Sequence, residues 1–340
     1  MKKPDFPADA SRRRMLMHGT ALMSGVSLAH AGDESGAFAG WKGTALRFAG
    51  VDTARRVLAA DDDWMRASGD FQRRAVMGAE QPVTVVDFKR WNADAARAWP
   101  AKQRTRWLQA AAKLAPALNG LRLPLPKEVL LIHSNGQESA GQPYTRGNAI
   151  VLPTGPLMPG YSDAEMLAHE LFHVISRHAP ALADALYATI GFEPTPPLVF
   201  PAAWSPIRMA NPDAPGNRHA MRFLHEGRAV RAMPVLVAGR TKLNKAAGET
   251  FFDVIDVRLL EVEPAPDGRS MVAVLRDGQP AYVSLSAARE YLQRLGGNTD
   301  YVIHPEEVMA DNFAFLCAGR KVSNLDLLKR IEAALRSATR

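Results

Sequence analysis

The stretch Leu167–His178, LAHELFHVISRH, holds three of the nine histidines in a chain of 340 residues. His169 and His173 are four residues apart, so on a helix they lie on one face and can each give an imidazole nitrogen to a single metal ion. Glu170 follows the first histidine and would lie beside that ion, where a general base acting on a metal-bound water is needed. The alternative is a pair of ordinary core or surface histidines on a helix.

The flanking residues predict the helix itself. Ser162 and Glu165 have the spacing of a capping box, and Pro180 ends a helix. We therefore predict a helix that Ser162 caps and that runs to His178. Because His178 lies off the face of His173, we interpret it as a cation at the helix C-terminus.

Two separated patches resemble the gluzincin zinc metallopeptidases, the class to which thermolysin belongs. The first patch is HELFH with the preceding strand NAIVLP, and the second is HPEEVMADNF, residues 304–313, which is also similar to bacterial HExxH proteins of unassigned substrate. The resemblance implies that Glu307 is the third zinc ligand and that Asp311 accepts the far N–H of a ligand histidine. The alternative to a metal site is that these acidic residues form a solvated face of the helix. Glu306 stands at a position where that class often has Asn. Glu306 and His304 are the alternative candidates for the third ligand.

The same resemblance implies a mechanism and a cleft. Zinc lowers the pKa of a bound water to about 7, Glu170 takes its proton, and the hydroxide attacks a polarised carbonyl. In that class the strand before the HExxH helix lies along the cleft and an extended substrate pairs with its edge. The oxyanion needs one more donor. The candidates for it are Tyr144, Arg146, His219, His225, Tyr282 and Tyr301, with His225 and Tyr301 as the first to substitute.

Composition and charge favour an ordinary globular protein. Hydrophobic residues make up 47% and charged residues 23% of the chain, and the net charge is +7. Several of the basic residues lie in the first 31 positions and the others are scattered, so we predict no nucleic-acid partner. The single Cys317 has apolar neighbours and is predicted to be a buried thiol without a catalytic role.

The N-terminus has the pattern of an export signal. SRRRMLM, residues 11–17, precedes a short apolar run that ends in Ala29-His30-Ala31. A charged segment, an apolar segment and an A-x-A site in this order predict a twin-arginine signal peptide over residues 1–31, and hence a periplasmic or secreted protein. A flexible basic tail is the alternative. No later segment is apolar for long enough to predict a membrane span.

We predict an α+β, zincin-like metalloprotease fold. A linker covers residues 32–40 and the catalytic domain residues 41–340, of which residues 41–120 are a helical N-terminal part. Short, mostly antiparallel strands follow, interrupted by an irregular proline-rich segment, residues 193–217, of a length that is often functional. The strands are predicted at 128–134, 147–153, 230–238, 251–263, 271–276 and 281–286, and the C-terminal helices at 286–295, 305–318 and 324–338.

The predicted function is that of an exported zinc-dependent hydrolase, a metallopeptidase acting on peptides or proteins with Glu170 as its general base. One alternative is a zinc-binding structural or partner-binding protein on a zincin scaffold that has lost hydrolysis. Another is a basic module that binds the cell envelope or nucleic acid and holds no stoichiometric zinc. The sequence does not predict an oligomeric state.

Overall fold

The computed structural model describes residues 38–41, 43–157 and 159–337. The predicted export signal, residues 1–31, lies outside the described residues, and so does most of the predicted linker. Residues 38–40, the last part of that linker, belong instead to the first strand of the fold.

A five-stranded mixed sheet supports the N-terminal half of the fold. Its strands are β1 (Phe38–Trp41), β2 (Thr44–Phe48), β3 (Glu128–Ser134), β4 (Tyr144–Arg146) and β5 (Ala149–Pro153), in the order β1-β2-β3-β5-β4. The pairs β2–β3 and β3–β5 are parallel, whereas the outer pairs are antiparallel. Strands β3 and β5 confirm the sequence prediction. Strand β2 was not predicted, because its parallel partner lies far along the chain and leaves no local signal.

Helices fill most of the interval between β2 and β3, as predicted. They are α1 (Val51–Leu58), α2 (Asp63–Ala67), α3 (Asp70–Met77), α4 (Val85–Ala93) and α5 (Ala101–Gly120). The long helix α5 buries Trp107, Leu114 and Leu118 in the same core as the HELFH helix. This core also contains residues of the five-stranded sheet, so the N-terminal helices and the HELFH helix are packed on one another.

The HELFH helix, α6 (Asp163–His178), begins and ends where the sequence predicts. Ser162 caps it, and Glu165 completes the capping box by accepting a hydrogen bond from the Ser162 backbone N–H. A second helix, α7 (Pro180–Ala188), follows directly. Because α6 is buried along almost its whole length, its polar side chains must find partners inside the protein.

A seven-stranded antiparallel sheet forms the second part of the fold. Its strand order is β11-β10-β9-β8-β6, with β14 on β10 and β7 on β9, and β12 and β13 form a separate pair. The strands are β6 (Phe192–Pro194), β7 (Arg208–Met209), β8 (His219–His225), β9 (Arg228–Ala238), β10 (Ile255–Pro264), β11 (Met271–Ala273), β12 (Leu275–Arg276), β13 (Gln279–Pro280) and β14 (Tyr282–Ser284).

Several details of this sheet differ from the prediction. The strand predicted at 271–276 is divided between β11 and β12, and β6 and β7 were not predicted. Strand β8 was not predicted, and β9 and β10, with 11 and 10 residues, are not short. Residues Phe251–Val254, predicted as the start of a strand, form a 3-10 turn before β10. Glu226 and Gly227, with φ of 50° and 75°, form the tight turn between β8 and β9, so the His225-Glu226-Gly227 sequence belongs to a hairpin turn.

The C-terminal part returns to helix as predicted, with α8 (Arg289–Arg294), α9 (Pro305–Ala318) and α10 (Leu325–Ser337). His304 caps α9, and Gly319 ends it in the left-handed conformation, with φ of 66°. Phe313 of α9 packs on Phe172 of α6, with ring centroids 5.6 Å apart. Helices α6 and α9 are thus direct neighbours in the core.

The architecture is mixed α/β with two main sheets, compatible with the predicted α+β class. The zincin-like assignment stays a prediction at this stage. None of the helices in the described ranges combines the length and the apolar character that a bilayer crossing needs.

The buried Glu261 of β10 should make stability depend on pH. Arg228 and Arg276 each donate two hydrogen bonds to its carboxylate. The hydrogen bonds from Arg228 have the largest effect on its pKa, and together with Arg276 they outweigh the opposing effect of burial and lower it from 4.5 to about 2. The stabilisation is present above the unfolded-state pKa and is lost as the pH falls towards about 2. We expect Glu261→Gln to lower the free energy of unfolding by about 2 kcal/mol at neutral pH.

Urea unfolding of both proteins at a series of pH values measures this difference. It should narrow as the pH falls through about 4. A difference that stays constant over the whole series would contradict the predicted role of the two arginines.

Candidate metal centre

Helix α6 presents two histidines to one point in the core. His169 and His173 are 3% and 1% exposed, and their ring centroids are 4.8 Å apart. Their separation by one helical turn explains the shared direction. The sequence prediction that both face the same way is confirmed.

Glu307 of α9 meets the two histidines from the opposite side. Its Oε2 lies 3.2 Å from Nε2 of His169 and 3.5 Å from Nε2 of His173. One ligand atom from each of these three buried residues lies within 4.8 Å of the other two. The three residues predicted as ligands are thus brought together, and the cluster can hold a metal ion.

The outer nitrogen of His169 is held by Asp311, also on α9. Its Nδ1 lies 2.8 Å from Oδ1 of Asp311, which is fully buried. Tyr161 donates a hydrogen bond of 2.6 Å to the same oxygen, and Thr299 donates to the other one. Asp311 therefore stands where the resemblance places the carboxylate that fixes the tautomer of a ligand histidine.

His173 has a carboxylate of its own, which sequence reasoning missed. Its Nδ1 lies 2.7 Å from Oε1 of Glu306, and Ser176 donates to that oxygen at 2.6 Å. Tyr187 donates to the other oxygen of Glu306. Glu306, which we considered as an alternative ligand, instead contacts the side of His173 away from Glu307. Its position next to Glu307 on α9 was the available signal, but we interpreted it only as an alternative ligand and as a departure from the gluzincin pattern.

The same hydrogen bonds show why the cluster fits a cation. With Nδ1 of each histidine donating to a carboxylate, both Nε2 atoms present lone pairs towards the Glu307 carboxylate. Nε2 of His173 has no hydrogen-bond partner among the described residues. Such a convergence of electron-rich atoms is balanced by a metal ion or by protons, and two imidazoles with one carboxylate are ligands that Zn²⁺ accepts.

The pKa values of His169 and Glu307 show how the cluster holds protons when no metal ion is bound. Burial lowers the pKa of His169, but its hydrogen bonds to Asp311 and Glu307 outweigh this effect and raise it to about 10. Burial raises the pKa of Glu307, but the two histidines outweigh that effect and lower it well below its usual range. A metal ion that enters the site must therefore displace protons from the histidines.

Glu170 lies next to the three candidate ligands, and one oxygen of its carboxylate has no hydrogen-bond partner among the residues that the structure describes. Its side chain is 3% exposed, and Oε2 has no hydrogen-bond partner in the described part of the chain. Burial, followed by the nearby charge of Asp213, raises its pKa from 4.5 to about 8. A carboxylate of this kind can take up and release a proton near neutral pH.

The irregular segment 193–217 supplies two residues that the sequence analysis did not select. Asn211 donates a hydrogen bond from Nδ2 to Oε1 of Glu307 and so holds the oxygen that does not face the histidines. Asp213 has an oxygen within 4.8 Å of ligand atoms of Glu170 and His173. Its own Oδ1 accepts hydrogen bonds from the backbone N–H and the hydroxyl of Thr145, at 2.7 and 2.5 Å. The length of the segment was the only signal for this contribution.

A cavity of about 320 Å³ opens onto the centre. His169, Glu170, Asp213 and Glu307 are among its lining residues. Its other walls are largely apolar and include Trp64, Val76, Met209, Leu236, Phe251, Phe252 and Ile255. The cavity thus joins the possible metal site to a space that suits an apolar group.

Two of the six candidates for oxyanion stabilisation line this cavity. They are Tyr144 and Tyr301, and the ring of Tyr301 stacks at 28° on that of His169, with centroids 6.3 Å apart. The other four have different environments: Arg146 pairs with Asp62, His219 with Asp184, His225 ends β8, and Tyr282 packs on Trp204. Of the two residues that we would have substituted first, only Tyr301 adjoins the centre.

Strand β5 does not offer the free edge that the resemblance implies. It pairs with β3 on one side and with β4 on the other. The edge strand on this side of the sheet is β4, whose Thr145 binds Asp213 through its backbone N–H. A substrate strand therefore has no place along β5.

Two predictions about other polar residues agree with the structure. His178 is exposed in the last turn of α6, away from the centre. Cys317 is buried, and burial raises the pKa of its thiol to about 12. A thiol with this pKa stays protonated at neutral pH and is a poor nucleophile.

Substitution of a ligand tests the centre directly. We expect the purified wild-type protein to bind Zn²⁺ stoichiometrically, and His169→Ala and Glu307→Ala to bind it far more weakly, because each leaves only two ligands. Elemental analysis after dialysis measures the bound metal. His178→Ala, on the same helix but exposed, is the matched control and should keep the full amount. Full zinc in Glu307→Ala would exclude Glu307 and turn attention to Glu306 or His304.

Removal of an orienting carboxylate should weaken the centre without abolishing it. We expect Asp311→Asn and Glu306→Gln each to raise the dissociation constant for Zn²⁺ by about 10–100-fold, because the histidine attached to each loses its fixed tautomer. Competition with a chromogenic chelator measures the constant. Asp326→Asn, at an exposed position of α10, is the control. Affinities equal to the wild type in both variants would show that the two carboxylates do not orient the ligands.

Comparison of the chain with protein-family models, with curated proteins and with solved structures finds no match. The interpretation of the centre therefore depends on its own geometry. That geometry consists of two imidazoles and one carboxylate that converge, a carboxylate behind each imidazole, and a fourth, free carboxylate beside them.

Proposed function

We propose that the protein is a zinc-dependent hydrolase that cleaves the amide bonds of peptides or proteins. The observation that carries this proposal is the position of Glu170. A carboxylate oxygen of Glu170 lies within 4.8 Å of a ring nitrogen of His173, and its Oε2 has no partner in the described part of the chain. Glu170 is buried together with His169, His173 and Glu307. A purely structural metal site has no need of a free, buried carboxylate next to its ligands.

His169, His173 and Glu307 would hold the metal, and three protein ligands leave a position open for chemistry. Zn²⁺ bound there supplies Lewis acidity, which lowers the pKa of water and polarises a carbonyl group. The Asn211 side chain holds the second oxygen of Glu307, so this ligand presents a single oxygen to the site. The arrangement supports a catalytic interpretation over a closed, four-ligand structural one.

Glu170 is proposed as the general base and then the general acid. Oε2 can accept a proton from the attacking water and give it to the leaving amine. Asp213 favours the protonated form of Glu170, because two carboxylates this close do not ionise independently.

Tyr301 is the proposed donor to the developing oxyanion. It lines the cavity beside His169. Burial and the nearby carboxylates, Glu307 first among them, raise the pKa of its hydroxyl far above 10, so that it keeps its proton and remains a donor.

The N-terminal pattern supports a place of action outside the cytoplasm. A twin-arginine-like segment, residues 11–31, suits a protein that folds around its metal before it is exported. We propose that the protein works in the periplasm or after secretion.

The decisive variant is Glu170→Gln, which keeps the shape of the side chain and removes its basicity. We expect it to bind zinc as the wild type does and to cleave a mixed peptide library about 10²–10⁴-fold more slowly. The rate is followed by mass spectrometry, and a chelator should abolish cleavage by the wild type. Glu80→Gln, at an exposed position, is the control and should cleave at the wild-type rate.

Equal rates in the wild type and in zinc-loaded Glu170→Gln would contradict the hydrolase proposal. In that case a non-catalytic zinc-binding role, structural or in binding a partner, would describe the protein better.

A further inference from the structure

The cavity has further polar residues besides those of the metal centre. Glu138 and Gln142 both line it, and each has a buried oxygen, Oε2 and Oε1, without a hydrogen-bond partner in the described part of the chain. The side chain of Glu138 is 1% exposed. Buried acceptors are nearly always paired in native proteins, so two unpaired ones in the wall of one cavity indicate a place for a ligand.

The loop that carries both residues, 135–143, is held firmly. The backbone N–H of Gly141 donates to the carbonyl of Gly136 at 2.8 Å, and the hydroxyl of Ser139 donates to the carbonyl of Gln142 at 2.7 Å. Gly136 has φ of 81°, and a Cβ there would lie 2.8 Å from the Cα of Gly141. This close approach requires glycine and keeps the loop compact. The positions of Glu138 and Gln142 are therefore built into the fold.

The hydrogen-bond partners of Glu138 within the protein are neutral, and the charge of Arg97 has a smaller effect on its pKa than these hydrogen bonds have. Tyr144 donates its hydroxyl to Oε1 at 3.3 Å, and Ser134 also hydrogen-bonds the carboxylate. Burial raises the pKa of this carboxyl group, with the hydrogen bonds as smaller, opposing effects. A positively charged ligand would compensate the burial of its charge, as such groups do at other buried carboxylates.

The charge of the whole lining favours a cation. Four carboxylates, those of Glu138, Glu170, Asp213 and Glu307, are among the lining residues, whereas no Lys or Arg of the described chain is. The basic side chain in this lining, His169, is already paired with Glu307 and Asp311. An ionised carboxylate and an amide oxygen are acceptors only, so the ligand must bring hydrogen-bond donors. A ligand with a phosphate or a carboxylate group at this place would bring acceptors and negative charge instead of donors.

We propose that Glu138 and Gln142 form a subsite for an ammonium group of the substrate, next to apolar walls that take an aliphatic or aromatic side chain. The inference rests on the proposed amide hydrolysis and names its substrate class, amines with an apolar body. The ammonium can come from the end of a peptide chain or from a lysine side chain, and the test separates these sources.

Binding is measured on the full chain, by calorimetry, both zinc-loaded and after treatment with a chelator. The ligands are L-leucine amide, which has an α-ammonium group, N-acetyl-L-lysine amide, which has only a side-chain ammonium group, and the neutral N-acetyl-L-leucine amide. We expect one of the two amines to bind at least about tenfold more tightly than the neutral compound in both forms. The tighter of the two identifies the source of the ammonium.

Substitution of Glu138 tests whether the preference for the amine over the neutral compound comes from this residue. Glu138→Gln should remove the preference for the amine, because the side chain keeps its size and loses its charge. Gln142→Leu should reduce the preference, and the exposed control Glu80→Gln should keep it in full. Thermal unfolding of each variant, measured in parallel, shows whether it is folded.

Three results would overturn the subsite: no measurable binding of either amine, equal binding of the amines and the neutral compound, or an unchanged preference in Glu138→Gln. Because the preference is also measured on the chelator-treated protein, in which the proposed hydrolysis cannot take place, it does not depend on the hydrolase proposal. An inactive protein that prefers the amine would refute only that proposal. An active one that cleaves acetylated and free peptides equally and shows no preference in binding would refute only the subsite.

Discussion

The structure depends on the burial of several charged side chains between α6 and α9. His169, His173, Glu306, Glu307 and Asp311 are all at most 5% exposed, and a buried charge without a partner is costly. Each histidine therefore meets a carboxylate at Nδ1, and both meet Glu307 at Nε2. The two helices can pack closely only in the register that forms all of these pairs. The same register brings together His169, His173 and Glu307, which could hold a metal ion, so helix packing and the formation of this cluster depend on the same contacts.

Sequence reasoning was most successful where the signal was local. The bounds of α6 and the shared face of His169 and His173 follow from a capping box, a proline and a four-residue spacing, all within one short segment. The partnership with Glu307 is a contact between distant segments, and it was available only through a resemblance. Strand β2 shows the opposite case, since its parallel pairing with β3 has no local pattern and it was missed.

Asn211 and Asp213 show why the remaining part of the site could not be predicted. They lie in a proline-rich segment without periodicity, where neither helix nor strand geometry says which side chains point inwards. Their roles depend on tertiary contacts, of Asn211 with Glu307 and of Asp213 with Thr145 on β4. Glu306 was missed for a different reason. Its position on α9 was predicted, but a family pattern directed attention to the residue it replaces instead of to the histidine it contacts.

The charge of the whole chain and the charge of its cavity have opposite signs, and the cavity is the better guide to the ligand. Part of the net charge of +7 comes from the first 31 residues, and the remaining charges are scattered and, where they are exposed, are screened by salt. The carboxylates of Glu138, Glu170, Asp213 and Glu307 surround a space with largely apolar walls, where electrostatic interactions are much stronger than in water. A metal cation close to Glu307 and an ammonium group close to Glu138 would together balance this negative charge. A ligand with a positive group thus suits the cavity better than the anionic ligand that the net charge alone would suggest.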